Sequence, residues 1–447
     1  MPLKEELLRE TTVGNKELKE RRAETRQWLN AEIGVVARWT RFIPEGPRRK
    51  VRDCLIWATT PRKDRWRPPK PFRPGRYPRG INVYGFFREE NGLGQGVRMY
   101  ARGLEAAGVP HRCLHTDFLE WLPQNEHSFD GQLKKRPLYG VNLIHINPDQ
   151  WIDACICFPQ RCLDRHYNIG VWLWELTRIP DHWVECLKNV DELWVPSEFI
   201  AEALRRDTDK PVRVFPYGVE TPTDGAGRAD FGLEEKDFLV LAMFDSNSYA
   251  KRKNPMGAVE AFIRAFSGTE DARLVLKVNN PHAEDVEMLE KRLQEAGVRY
   301  TLIRKRMPKE RLNSLIACCD VFLSLHRSEG FGFPVAEAMM LGTTVVATNW
   351  SATAEFMNPQ VCCPVSYTLI PVGNDYQFPR EGQEWAEPDL SQAAAFLREL
   401  YGNPEKREQL ARDGQTWIRE ALSLKKSGMA MKKRLEEICP RFLARRP

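Results

Sequence analysis

Ser328-Glu329-Gly330-Phe331-Gly332-Phe333-Pro334-Val335-Ala336-Glu337-Ala338-Met339 is the stretch that decides how this chain is read. It directly follows an apolar run of strand length at 321–325. Gly330 and Gly332 permit a tight loop with exposed backbone N–H groups. Pro334 suits the first turn of a helix, where a missing N–H costs nothing. A loop entering a helix this way presents amides and the positive end of a dipole to an anion. Glu329 lies in the loop and Glu337 one turn inside the helix. Carboxylates are ill-suited to holding phosphate themselves and well suited to accepting hydrogen bonds from sugar hydroxyls on either side of it. The plainer alternative is a helix whose first turn happens to carry acidic residues.

Outward from this stretch, strands and helices alternate. From Ile81 the apolar run 81–87 and the stretches 111–115, 142–146, 168–174, 192–196 and 212–216 predict strands; a glycine-rich turn at 91–96 leads into a helix through 107, and further helical patterns lie at 181–190 and 198–206. The segment 218–237 is Gly-, Thr-, Pro- and acid-rich and predicts a linker. A second series follows, with strands at 238–244, 273–278, 300–304, 321–325 and 344–347 and helices at 255–267, 285–296, 308–319 and 334–341. Three helical stretches close the chain after 389. This alternation predicts an α/β protein of two doubly wound, Rossmann-like domains facing a cleft, with ligands at the carboxyl ends of the strands. The expected organisation is an N-terminal helix and basic Pro/Trp-rich arm (1–80), a first domain (81–217), the linker (218–237), a second domain (238–420) and a C-terminal helix (421–447).

Composition bounds the rest. The 447 residues are 42% hydrophobic and 29% charged, and no apolar run sustains the ~18–20 residues needed to span a bilayer. The first 26 residues are charged and lack the apolar core of a secretory signal. Eleven cysteines, with adjacent pairs at Cys318-Cys319 and Cys362-Cys363, suit buried thiols in a reducing cytoplasm better than disulfides. Cys155, Cys157, Cys162 and His166 lack a paired metal-ligand spacing, and no metal is expected. The net charge of +6 is unevenly spread: residues 48–79 hold twelve Lys/Arg and two Asp, a net of +10, which leaves −4 for the rest.

With Glu329 and Glu337 inside an EGFGFPVAEAM core, and with the flanking Ser324-Leu325-His326-Arg327-Ser328 and Thr344–Thr348, the chain resembles the retaining GT-B glycosyltransferases of family 4, the group 1 glycosyltransferases. The resemblance covers roughly 81–425. It implies that Glu329 contacts the donor sugar, that the amides of Gly330, Phe331, Gly332 and Phe333 face the diphosphate, and that Glu337 binds the ribose of a nucleotide sugar. It also implies no cofactor beyond that donor substrate.

A second match is Asp245-Ser246-Asn247-Ser248-Tyr249-Ala250-Lys251-Arg252-Lys253-Asn254-Pro255. The family usually has an Arg followed five residues later by a Lys. Lys253 fits the Lys, whereas Ser248 stands at the Arg place and Arg252 is the candidate for the missing charge. Cations before a helix suit a diphosphate, and Arg in particular can bind it through two nitrogens. In the first domain, Gly92-Leu93-Gly94-Gln95-Gly96 is a glycine-rich turn. Its spacing is not that of a dinucleotide fingerprint, and the resemblance puts Gly94 toward the donor phosphate.

His145 and Glu175 end two first-domain strands. Each reads equally as a catalytic group or as a structural one, and Glu175 stands where many relatives carry a histidine. Trp172 and Trp174 share a strand face and are expected to pack in the core. Asp207-Thr208-Asp209 is read as solvated, not as a metal motif.

The expected activity is transfer of a sugar to a carbohydrate or lipid-linked acceptor hydroxyl, in polysaccharide or glycolipid synthesis. The alternative is an inactive scaffold of the same fold that binds a partner or membrane. The basic segment with Trp57, Trp66, Phe72 and Tyr77 suits an anionic membrane surface and equally a solvated or partner-binding arm, so a cytoplasmic protein is expected, with peripheral membrane association as one of these two readings. Nucleic acid is not an expected partner.

Overall fold

The computed structural model describes residues 66–116, 124–151, 154 and 159–439. Two six-stranded sheets form the frame, and every strand in them pairs in parallel. The first has the order β2-β1-β3-β4-β5-β6, with β1 Ile81–Gly85, β2 His111–His115, β3 Val141–His145, β4 Tyr167–Val171, β5 Glu192–Val195 and β6 Val212–Val214. The second has the order β12-β11-β10-β7-β8-β9, with β7 Phe238–Asp245, β8 Ala272–Asn279, β9 Tyr300–Ile303, β10 Val321–Ser324, β11 Thr344–Thr348 and β12 Cys363–Val365.

Helices cover both faces, so the central strands, such as Phe238–Asp245 and Val321–Ser324, read as apolar runs and not as alternating ones. One polar row interrupts the first sheet. Asn82 donates to Asn142 at 2.9 Å and Asn142 to Asn168 at 2.8 Å, across β1, β3 and β4. Their remaining amide hydrogens reach the carbonyls of Tyr139, Cys162 and Leu163, so the buried row is satisfied.

The strand order reverses between β1 and β3 in the first sheet and between β7 and β10 in the second. Crevices open at such reversals. The loops that leave them carry Glu89–Leu93 and Asn147–Gln150 on one side, and Ser246–Lys253 and Ser328–Phe333 on the other.

Several segments differ from the sequence expectation. Residues 66–73 form neither helix nor strand, as their prolines require, and 74–77 make a turn, yet the whole stretch 66–80 is fastened to the first domain and is not a free arm. Trp66 is buried edge-on to Trp151 at 5.0 Å, Arg67 pairs with Asp164 at 2.9 Å, Phe72 meets Tyr167, and Tyr77 stacks on His166 at 4.2 Å. The expected helix and the rest of the basic segment, residues 1–65, lie outside the described residues, as do Cys155 and Cys157. The linker is bound along the second domain: Arg228 reaches Asp320 at 3.0 Å and the Cys318 carbonyl at 3.0 Å.

The C-terminal helix, Leu424–Ile438, returns to the first domain and packs on the Gly92–Ala106 helix. There Gly103 and Gly428 meet so closely that a Cβ on Gly428 would lie 1.8 Å from the Gly103 carbonyl oxygen. Arg434 ties the same helix to the fully buried Glu192. A hairpin absent from the sequence expectation, β13 Tyr367–Pro371 with β14 Glu384–Pro388, projects its 372–383 loop toward the first domain.

Candidate active site

A cleft of about 1380 Å³ separates the domains. The Ser328–Phe333 loop forms part of its second-domain wall. Gly332 has a φ of +88°, and a Cβ there would stand 2.3 Å from a methyl of Thr353, so the position needs glycine on two counts. It caps the Phe333–Leu341 helix, with Pro334 in the first turn. The loop is held from both sides. Glu329 N donates to Ser351 Oγ at 2.8 Å, Ser197 Oγ of the first domain donates to the Gly330 carbonyl at 2.8 Å, and Ser328 Oγ donates to the Glu175 carbonyl.

Glu329 and Glu337 occupy different surroundings. Glu329 receives Lys253 Nζ at 2.5 Å and Arg252 Nη1 at 3.3 Å. Burial alone would push its carboxyl up, but the Lys253 ammonium and then Arg252 outweigh this and hold it at about 2. Burial pushes the Lys253 ammonium down, with Glu329 opposing. Glu337, one turn into the helix and 1% exposed, accepts from Gln95 Nε2 at 2.5 Å and pairs with Lys309 Nζ at 2.6 Å. Gln95 belongs to the glycine-rich turn of the first domain, so this contact crosses the cleft.

Arg252 is turned inward. Its guanidinium donates to the Ser328 carbonyl at 2.8 Å and lies 4.0 Å from Glu175, between one carboxylate of each domain. Burial disfavours its charge, but Glu329 and Glu175 more than compensate and hold its pKa above the ordinary value. Ser248 lines the cleft without bringing a charge. Lys251 pairs with Asp375.

Glu175 lines the cleft at the end of the segment following β4, and Tyr376 Oη donates to it at 2.7 Å. His145 does not line it. It is fully buried beneath Tyr217, whose hydroxyl meets Nε2 at 2.7 Å, and burial lowers it to about 3, so the ring is neutral. Its place is structural. Gly94 likewise serves packing: a Cβ would lie 2.3 Å from the Glu89 carbonyl oxygen, and its N–H is taken by Asn91 Oδ1. Gly92, Leu93 and Gln95 are the residues of that turn which line the cleft.

Phe331 and Phe333 line it too, while packing on Tyr217 at 5.0 and 5.2 Å as part of a core that runs through both domains. Trp172 and Trp174 are buried in edge contacts with Trp183, as expected. Asp207 is not solvated: it receives Arg178 and Arg380, the latter from the hairpin loop. Among the described residues no group of three His, Cys, Asp or Glu is arranged to hold a metal ion.

Sequence reasoning missed Tyr376, Lys309 and Arg306. Arg306 crosses the cleft to Glu90 at 3.3 Å. Each meets its partner over a long sequence separation, so no local spacing announces it. Gln95 was within reach, being the one side chain in the glycine turn able to bridge to a carboxylate.

Residues 240–381 match the family model of the glycosyl transferases group 1, which is the resemblance read from the EGFGFPVAEAM core. Solved structures agree in fold. HepE of Anabaena, in complex with UDP and glucose, superposes with a TM-score of 0.59 at 13% identity, over 80% of this chain and 100% of that one. Sucrose-phosphate synthase of Thermosynechococcus elongatus gives 0.59 at 16% identity, over 80% and 99%. A glycosyltransferase of Rickettsia africae gives 0.59 at 12%, over 81% and 98%. No curated protein sequence matches the chain. The fold is GT-B, and the protein is a glycosyltransferase whose residues 240–381 match the group 1 family model.

Proposed function

We propose that the chain moves a sugar, with its anomeric configuration retained, from UDP-sugar to an acceptor hydroxyl held by the first domain. The observation that carries this reading is the cluster of Glu329, Lys253 and Arg252 beside the amides of the Gly330–Phe333 turn, at the strand-order reversal of the second sheet. Lys253 and the helix-end amides face the diphosphate, Glu337 with Lys309 the ribose, and Glu329 the transferred sugar. Glu175 orients the incoming hydroxyl from the opposite wall.

In the step itself the acceptor oxygen bonds to the anomeric carbon on the face that the phosphate leaves. The bond from that carbon to the phosphate oxygen breaks, and its electron pair stays on the diphosphate. The acceptor proton passes to the departing phosphate oxygen. Fixed amides and Lys253 stabilise the charge that develops there. The closed cleft keeps water from competing. The chemistry needs no metal or cofactor, because the protein supplies the positive charge.

The relatives' complexes with UDP support the choice of base. A polysaccharide or glycolipid acceptor fits the peripheral, cytoplasmic setting of the basic segment. In residues 66–79 the exposed charges are what chiefly remains available to a membrane, since Trp66 is buried and Phe72 and Tyr77 are partly buried against Tyr167 and His166.

A thermal-stability panel of UDP, GDP, ADP and their sugars tests the donor. UDP compounds should stabilise by about 2.7 kcal/mol at a hundredfold excess over the dissociation constant. No response to UDP compounds, or stabilisation without any donor turnover, would favour the inactive scaffold, a reading that Ser248 and the inward-turned Arg252 keep in view.

A further inference from the structure

The hairpin loop 372–383 belongs in sequence to the second domain, yet it is anchored on the first. Arg380 pairs with Asp181 at 2.8 Å and Asp207 at 3.1 Å, and Gln383 donates to the Arg178 carbonyl at 2.9 Å. Val372, Tyr376 and Trp385 enter the tryptophan cluster that contains Trp174 and Trp183. Tyr376 is 2% exposed, 5.6 Å from Trp174 and 4.8 Å from Tyr249, with Arg252 5.9 Å over its ring. The packing fixes the ring, so its hydroxyl has one direction, onto Glu175 Oε2 at 2.7 Å. The other oxygen of Glu175 faces Arg252. Both groups that hold this first-domain carboxylate therefore come from the second domain.

We propose that Tyr376 is a positioning residue for sugar transfer: delivered across the cleft by the 372–383 loop, its hydroxyl aims the Glu175 carboxylate. The hairpin thereby completes the acceptor side of the site. The inference rests on the reading of Glu175 as the group that orients the acceptor hydroxyl. It adds a residue from a hairpin that no motif of the sequence marked.

A double-mutant cycle tests it, with turnover of the nucleotide sugar selected by the stability panel and binding of free UDP as the two readouts. Tyr376→Phe keeps the ring and its packing and removes only the donor. A hydrogen bond to a charged acceptor corresponds to roughly 10–150-fold in an equilibrium. Tyr376→Phe should lower kcat by about tenfold or more, with the donor KM and the UDP affinity unchanged within about twofold. In a Glu175→Gln background the same change should lower kcat by less than about twofold further. Independent losses in the two backgrounds would overturn the proposal and leave the role of Glu175 standing. So would a Tyr376→Phe enzyme with wild-type kcat, or one that loses only UDP affinity. A Glu175→Gln enzyme with wild-type turnover would remove both the proposal and the reading beneath it.

Discussion

Glu329 and Glu337 are the same residue type, eight residues apart, and the protein treats them differently. Glu329 sits between two cations and is held at about 2, against an ordinary 4.5. A depressed carboxyl contributes stability that is present above 4.5 and lost as the pH falls toward 2. The stability gap between wild type and Glu329→Gln should therefore be constant near neutrality and narrow over that acid window. Urea titrations at stepped pH would show it, and a gap that widened toward acid would contradict the pairing. The ligand responses should divide too. Glu337→Gln keeps the shape but loses the charge opposite Lys309, and should weaken UDP and UDP-sugar alike, by roughly 10–150-fold. Glu329→Gln should leave UDP binding nearly intact and lower turnover. Equal losses of UDP affinity in calorimetry would show that the two carboxylates had been assigned to the wrong parts of the donor.

Among the elements, the C-terminal helix has the most exacting fit. It crosses the Gly92–Ala106 helix where Gly103 and Gly428 let two backbones touch, a spacing no side chain could share. The helix it rests on carries the glycine turn and Gln95, so its position sets the first-domain wall of the cleft. Gly428→Val would force the helices apart. Overpacking of this kind costs typically 1–3 kcal/mol, and the contact with backbone puts this case at the upper end. The denaturation midpoint should fall accordingly, and UDP affinity should fall with it as Gln95 withdraws from Glu337. A variant with an unchanged midpoint would mean that the crossing is looser than these distances say.

Across the whole molecule, charge is separated from chemistry. The basic residues Lys70, Arg73 and Arg76 lie exposed on the first domain, while Arg252 in the cleft is buried and paired. The proposed membrane surface therefore has a test that leaves catalysis alone. Replacing these three by Ala should weaken binding to vesicles containing anionic lipid, at on the order of 1 kcal/mol per basic residue near the surface. It should also flatten the salt dependence of that binding. UDP affinity should be unchanged. Equal vesicle binding by both proteins would assign the charges another purpose. A deletion intended to probe the basic segment should stop before Trp66, because cutting at residue 80 would strip the cover from Trp151.

The sequence alone determined the two parallel sheets, since strands buried on both faces are mostly apolar and alternate in sequence with helices. It also determined the Ser328–Phe333 turn, because Gly332 and Pro334 answer local demands of backbone geometry that any fold would impose there. Glu329, Glu337 and Lys253 were legible for the same reason, being tied to strand ends by short spacings. Only the tertiary structure decided which groups meet across the cleft. His145 ends a strand as a catalytic histidine would, but Tyr217, seventy-two residues later, roofs it over. Arg252 stands beside Lys253 in sequence yet turns between Glu175 and Glu329, because burial leaves it no other charges to satisfy. Tyr376 reaches Glu175 from two hundred and one residues away. Local patterns record what a segment must do with its own backbone, and contacts between distant segments are settled by packing, which leaves no spacing to read.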